Sequence, residues 1–178
     1  MQKVVAIIQA RLTSTRLPCK VLMDIQGKTM LERVIERVKQ AKFVDEIVVA
    51  APHELPCSVP LFIGDEQDVL KRYYNCAKFW KADVVVRITS DCPMLDPENI
   101  DHAISYFFSH NFPYVIFAPI DGLDVEVFSF EMLEKTYRRA TSKEDREHVT
   151  PYMRRKTKLS VDTILDLEKV RHQYGLEQ

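Results

Sequence analysis

Glycine is scarce, with four in 178 residues. Neither glycine-rich phosphate loop is present: the chain has no GxxxxGK of the Walker type and no GxGxxG of the dinucleotide folds. ATPase and dehydrogenase readings therefore lose their main support. Cysteine is sparse as well, and Cys19, Cys57, Cys76 and Cys92 include no CxxC pair and no metal-ligand spacing. The first residues read as a lysine-containing strand rather than a secretory leader, so a reduced, cytoplasmic protein is expected. No apolar run approaches the roughly 20 residues that cross a bilayer. An excess of charge of either sign is missing too: 25 Lys and Arg against 26 Asp and Glu leave a net charge of −1. Nucleic acid and anionic membrane are thus not expected as partners, and any anion site must be local.

What is present is ordinary for a folded chain, with 46% hydrophobic and 29% charged residues. This length suits one domain, residues 1–178, with one good core. Five short apolar runs stand out: Val4 to Ile8, Ile47 to Ala50, Leu61 to Ile63, Val84 to Ile88 and Tyr114 to Phe117. They are continuous and mostly β-branched, the pattern of strands covered on both faces of a parallel sheet. Helical patterns lie between them. Thr29 with Glu32 three residues on starts the first, which places Leu31, Val34, Ile35 and Val38 on one face. A second runs from about Asp65 to Trp80 with Val69, Leu70, Tyr73 and Ala77 inward, and a third begins at Asp96-Pro97. After Phe117 the residues around Pro119 and Gly122 break the pattern, and Val125, Val127 and Phe128 then read as an excursion from the sheet. Helices are expected at about Phe130 to Ala140 and Lys143 to Arg155, then a brief strand at Leu159 to Val161 and a last helix from Thr163 to Tyr174. The alternation predicts an α/β fold with a mostly parallel sheet.

The most informative stretch is IIQARLTSTRLPCK, residues 7–20, where a strand runs directly into a loop holding Arg11, Arg16 and Lys20 with Thr13, Ser14 and Thr15. Ligands of open α/β sheets bind outside the carboxyl ends of the strands, so three cations and three hydroxyls there suit a polyphosphate. The plain alternative is a solvated loop with surface ion pairs. RITSDCPMLDP, residues 87–97, follows another strand onto the same rim. Asp91 in its turn suits a hard cation such as Mg²⁺, or is a simple turn aspartate, whereas Asp96 before proline reads as a helix cap. In LSVDT, residues 159–163, Asp162 ends a short strand; it either assists the next cap or joins Asp91 on one cation. DGLDVEVF, residues 121–128, puts Asp124 and Glu126 on one side if extended, as ligands for sugar hydroxyls or as the wet face of an edge strand. REHVTPY, residues 146–152, offers Arg146 and His148 to an anionic substrate, or forms a helical surface cluster.

Together with GDEQDVLKRYY, these segments resemble, in order and over nearly the whole chain, the spore coat polysaccharide biosynthesis protein F group of the acylneuraminate and 3-deoxy-manno-octulosonate cytidylyltransferases. The resemblance implies a three-layer α/β sandwich of the nucleotide-diphospho-sugar transferase, Rossmann-like kind. It implies transfer of CMP from CTP to a sugar or sugar acid with release of pyrophosphate, a Mg²⁺ cofactor and, by analogy, a homodimer. Ala10, Arg11, Ser14, Arg16 and Lys20 match the nucleotide loop, with Lys20, Arg11 and Arg16 as its catalytic cations. Asp91 and Asp162 match the metal aspartates, and Asp124, Glu126, Arg146, Glu147 and His148 match segments on the acceptor side.

Cys19 stands where the family usually has glycine, so a positive φ there would be strained. The chain is also shorter than the pattern between Ala51 and Leu61 and between Tyr152 and Leu159, and Ile164-Leu165 replaces Pro-Glu. These departures keep two alternatives open: a nucleotide or nucleotide-sugar binding protein without turnover, and a glycosyltransferase of the same fold.

Overall fold

The computed structural model describes residues 2–14, 16–118 and 123–157. In chain order they form β1 (Val4–Gln9), a 3-10 turn (Lys20–Leu22), β2 (Asp24–Ile25), β3 (Lys28–Thr29), α1 (Met30–Val38), β4 (Glu46–Ala51) and β5 (Leu61–Ile63). These are followed by α2 (Val69–Phe79), β6 (Val84–Thr89), α3 (Pro97–His110), β7 (Tyr114–Phe117), β8 (Val125–Ser129), α4 (Phe130–Arg139), α5 (Lys143–His148) and α6 (Pro151–Thr157).

The main sheet has the order β5-β4-β1-β6-β8-β7. Strands β5, β4, β1 and β6 pair in parallel, and β8 runs antiparallel to both of its neighbours. The pleat divides each strand between two layers of helix. From β1, Val4, Ala6 and Ile8 pack toward Leu31, Val34, Ile35 and Val38 of α1 and Ile100, Ala103 and Ile104 of α3. Val5 and Ile7 turn the other way, toward Val69, Leu70, Tyr73 and Ala77 of α2 and Met132 and Leu133 of α4. This is the expected three-layer sandwich. Each such side chain taken from water contributes about 1.5–3 kcal/mol, so the continuous apolar runs stabilise a sheet covered on both sides.

Two helix starts, at Thr29 and Asp96, follow their sequence signals, and Ser129 caps a third in the same way. The Thr29 hydroxyl accepts from the Glu32 amide, the Asp96 carboxylate from the Glu98 amide and the Ser129 hydroxyl from the Met132 amide, each satisfying an otherwise orphaned donor. Glu32 does not complete a reciprocal capping box; its carboxylate accepts instead from the amide and hydroxyl of Ser58.

Four expectations change. The stretch at 125–129 is no excursion: β8 lies between β6 and β7, buried along most of its length. Strand neighbours in space need not be neighbours in sequence, and the antiparallel insertion hid this one. α2 starts at Val69, because the Asp65 carboxylate accepts from the amides of Gln67 and Asp68 and holds 65–68 as a turn capped by Asp68. The helix predicted from Lys143 to Arg155 is two, α5 and α6. Pro151 has no N–H to continue a helix, and Val149 takes φ 70 with the Thr150 amide bonded to the His148 carbonyl at 2.8 Å, a γ-turn. β2 and β3 form a small hairpin that sequence reading missed. Parallel β4 and β5 are joined by residues 52–60 without a helix, with Leu55 buried beneath. The predicted strand at Leu159 to Val161 and the last helix lie outside the described residues.

Candidate active site

In the sheet order, β1 passes to β4 on one side and borders β6 on the other, which places a crevice between the carboxyl ends of β1 and β6. The Ser90 amide donates to the Gln9 carbonyl at 3.2 Å and ties the two loops together where the strands end. The loop after β1 folds back on itself: the amides of Ser14 and Cys19 both donate to the Leu12 carbonyl at 3.0 Å. Cys19 then takes φ 54 and ψ 22, the left-handed conformation that glycine adopts without penalty, and leads into the 3-10 turn that begins with Lys20. The strain anticipated for a cysteine here is present in the backbone.

That turn aims Lys20 across the crevice, and its Nζ lies 2.6 Å from Oδ2 of Asp91, in the loop after β6. Partial burial raises the Asp91 carboxyl, but hydrogen bonds from Lys20 and Thr89 and the lysine charge outweigh it and leave the group below the usual carboxylate range. Asp91 is therefore ionised near neutral pH. It offers hard oxygen donors at the cavity wall, and among the described residues no group of three or more His, Cys, Asp or Glu is arranged to hold a metal. Asp162, expected as its companion, lies outside the described residues.

A cavity of about 210 Å³ opens between these loops. Ala10, Arg11, Ser14, Arg16 and Lys20 line it from the β1 side, Asp91 from the β6 side, and Glu147 and His148 from the end of α5. Six residues predicted from two segments thus share one wall with two from the acceptor-side motif. The γ-turn at Val149 ends α5 just after His148, and Val149 itself is fully buried.

Three other predicted residues sit elsewhere. Glu126 is 1% exposed in β8 and faces the interior, where it pairs with Arg87 of β6, accepts from the Tyr114 hydroxyl at 2.6 Å and binds Nη2 of Arg154 at 2.8 Å. Burial raises its carboxyl, but the Arg87 charge and the donors of Tyr114 and Arg154 hold it below the usual range. Arg146 pairs with Asp68, donates to the Tyr137 carbonyl at 3.0 Å and stacks on the Tyr137 ring, tying α5 to α2 and α4. Asp124 stands just before β8, half-buried, and its charge reaches Cys92 next to Asp91. Asp96 is the cap of α3, as its proline neighbour predicted.

Sequence reading missed Arg72, which lines the cavity from α2 and is 2% exposed. The signal was there in the helical spacing: residues 69, 72, 73 and 76 share the buried face of α2, and one of them is arginine. Gln9, Thr89 and Ser90 also line the wall and were not singled out.

A mostly parallel, three-layer sheet with a cationic loop after its first strand and an acidic loop after a neighbouring one defines an α/β protein of the Rossmann-like nucleotidyltransferase class. The chain belongs to the Cytidylyltransferase family, whose sequence profile it matches over residues 5–175. It is 45% identical over 162 residues to an uncharacterised protein of Methanocaldococcus jannaschii, covering 85% of this chain and 67% of that one. It is 33% identical over 171 residues to the spore coat polysaccharide biosynthesis protein SpsF of Bacillus subtilis, covering 86% of this chain and 71% of that one. Its structure is similar to a cytidylyltransferase from Leptospira borgpetersenii at a TM-score of 0.81 and 29% identity, covering 96% of this chain and 85% of that one. A CMP:2-keto-3-deoxy-manno-octonic acid synthetase solved with CTP superposes at a TM-score of 0.70 and 21% identity, covering 99% and 100% of the two chains, a likeness of fold. Among the described residues no helix is long and apolar enough to cross a membrane.

Proposed function

We propose that this chain transfers CMP from CTP to a hydroxyl of a sugar or sugar acid and releases pyrophosphate, supplying activated sugars for surface polysaccharide. One observation carries the reading: the 2.6 Å contact of Lys20 with Asp91, which puts a polyphosphate-type loop and an ionised carboxylate on the same cavity at the sheet's crevice. The family and the SpsF relative support the choice of reaction and of its product.

In this proposal the acceptor hydroxyl attacks the α-phosphorus in line, and the pyrophosphate oxygen leaves on the opposite side. Arg11, Arg16 and Lys20 hold the phosphate oxygens and stabilise the charge that gathers on the leaving group. Arginine grips two oxygens with a planar fork, while lysine places a point charge on one. Asp91, together with Asp162, would hold Mg²⁺, which supplies Lewis-acid polarisation of the phosphates when bound. In the state described, Lys20 neutralises Asp91, so nucleotide entry requires the lysine to exchange a carboxylate for a phosphate. Glu147 and His148 border the acceptor end. Of the groups that could take the hydroxyl proton, Asp124, Glu126 and a metal-bound hydroxide, Glu126 is engaged by two arginines and a tyrosine, which leaves the other two. A homodimer and a cytoplasmic location complete the proposal by analogy with the family.

Incubating the purified protein with each nucleoside triphosphate, Mg²⁺ and a panel of sugars and sugar acids tests it. Acceptor-dependent pyrophosphate release with CTP is expected. Tight CTP binding without release would leave a binding protein, and release of a nucleoside diphosphate from a nucleotide sugar would make it a glycosyltransferase.

A further inference from the structure

Arg72 is an arginine built into the wall of the cavity and, among the described residues, left without an ion-pair partner. Its stem passes over Gly64, where a Cβ would lie 2.8 Å from the Arg72 Cγ, so only glycine leaves that path open. Its Nη1 is anchored to the Asp65 carbonyl at 2.7 Å, in the turn that precedes α2. Its Nε is buried and has no hydrogen-bond partner. None of the ion pairs among the described residues involves Arg72. Burial pushes its guanidinium below the usual arginine value, and the nearby charge of Arg11 pushes the same way, against opposing effects of Tyr73 and Asp65 that are each smaller than that of burial. A buried cation beside another cation is costly unless something negative arrives between them. Arg87 also has a buried Nε without a partner, but its charge is paired with Glu126, which is where the two arginines differ.

We propose that Arg72 forms the inner wall of a phosphate site, gripping with Arg11 an oxyanion of the bound nucleotide's polyphosphate. This rests on the reading of the cavity as the nucleotide site. The Arg72 fork has a free Nε edge, the geometry that suits a tetrahedral oxyanion, and the anchoring by Asp65 fixes it before ligand arrives. Gln9, whose Oε1 is also buried without a partner, lines the same cavity, and its amide can turn its NH₂ toward the same anion. Arg72 is thereby a binding residue contributed by a helix, distinct from the cations of the loop after β1.

The test is calorimetric titration with CTP, inorganic pyrophosphate and cytidine, without added metal, on the wild type, Arg72→Met, Arg72→Lys and Gly64→Ala. Arg72→Met is expected to weaken pyrophosphate and CTP by about tenfold or more, to leave cytidine unchanged and not to lower the melting temperature, because it removes an uncompensated buried charge. Arg72→Lys keeps the charge but loses the fork and should fall between. Gly64→Ala keeps the arginine but crowds its stem, and should weaken pyrophosphate in the same direction; with Arg72→Lys it decides the matter if Arg72→Met does not fold. Pyrophosphate affinity unchanged in every folded variant overturns the inference and leaves the proposed function standing. Loss of cytidine and CTP affinity in parallel also overturns it, since Arg72 would then read the base. Wild-type binding of pyrophosphate but not CTP, still dependent on Arg72, sinks the nucleotide reading while the phosphate site stands.

Discussion

Two clusters of cation and carboxylate, one within the sheet around Glu126 and one at the loops beyond β1 and β6, behave in opposite ways. Around Glu126, every charged group has partners: Arg87, Arg154 and the Tyr114 hydroxyl converge on one carboxylate that is 1% exposed. Around the cavity, Lys20 pairs with Asp91, which Thr89 also supports, while among the described residues Arg72 is in no ion pair. The first cluster joins β6, β7, β8 and α6 and holds the far half of the sheet together. The second holds its polar groups ready at the crevice, at a cost in stability that only a ligand relieves. The presence of arginine does not separate a structural network from a site; whether its charge already has an opposite one does.

The comparison breaks most visibly at Glu126. Glu126→Gln is expected to cost about 3–5 kcal/mol, because it leaves Arg87 buried without its partner. In a chain of this size that lowers the melting temperature by roughly 10 °C or more. Its affinity for CTP should stay within about twofold, well inside the scatter of a tenfold effect of 1.4 kcal/mol. A large loss of CTP binding in a protein that melts normally would reverse the assignment of the two clusters.

Lys20→Ala and Asp91→Asn are the mirror image. Each should reduce pyrophosphate release by at least about tenfold with the melting temperature nearly unchanged, since a half-exposed pair contributes only about 0–1 kcal/mol to folding. Wild-type rates from both variants in a working assay would remove the site.

Acid sharpens the contrast by a smaller amount. The folded Glu126 carboxyl is held below its usual value of 4.5, so its contribution to stability is present above that value and is lost as pH falls through the lower folded one. Asp145, buried and bonded to Ser142 and Arg155, is also depressed and acts with the same sign. The wild-type melting temperature should therefore fall as the pH drops below the usual carboxylate range, and Glu126→Gln should show a shallower fall; parallel curves would place the acid sensitivity elsewhere.

Cys19→Gly is the gentlest probe. It relieves a left-handed residue of about 1–2 kcal/mol, offset in part by the greater freedom glycine has when unfolded, for a net gain near 0.5 kcal/mol. A melting temperature higher by about 1–2 °C with equal or faster turnover is expected. A large loss of activity would show that the thiol has a role of its own.

Much of the sheet was legible, because continuous β-branched runs bounded by caps admit few other structures. The helix starts at Thr29, Asp96 and Ser129 were local chemistry, as was the loop that carries Arg11 and Lys20. The breaks before Val69 and at Pro151 were local and were passed over; most of what else misled depended on a partner distant in sequence. Glu126 alternates with Asp124 along an extended stretch, and nothing local says that three donors from β6, β7 and α6 close around one and not the other. Arg146 resembles an anion ligand until Asp68, far away in the chain, takes it. Arg72 lay in plain view on a buried helical stripe, but its free Nε is visible only once the surrounding atoms are placed.

By itself the amino-acid order determined most of the segments that become strand and helix, where several helices begin, and which loop holds cations after the first strand. Those follow from interactions within a few residues: side-chain periodicity, capping and the missing N–H of proline. The tertiary structure alone decided that β8 slips between β6 and β7, that Lys20 meets Asp91, and which arginines are neutralised and which are not. The reason is that strand order and charge pairing join residues far apart in sequence, and burial sets their value only when the whole core has closed.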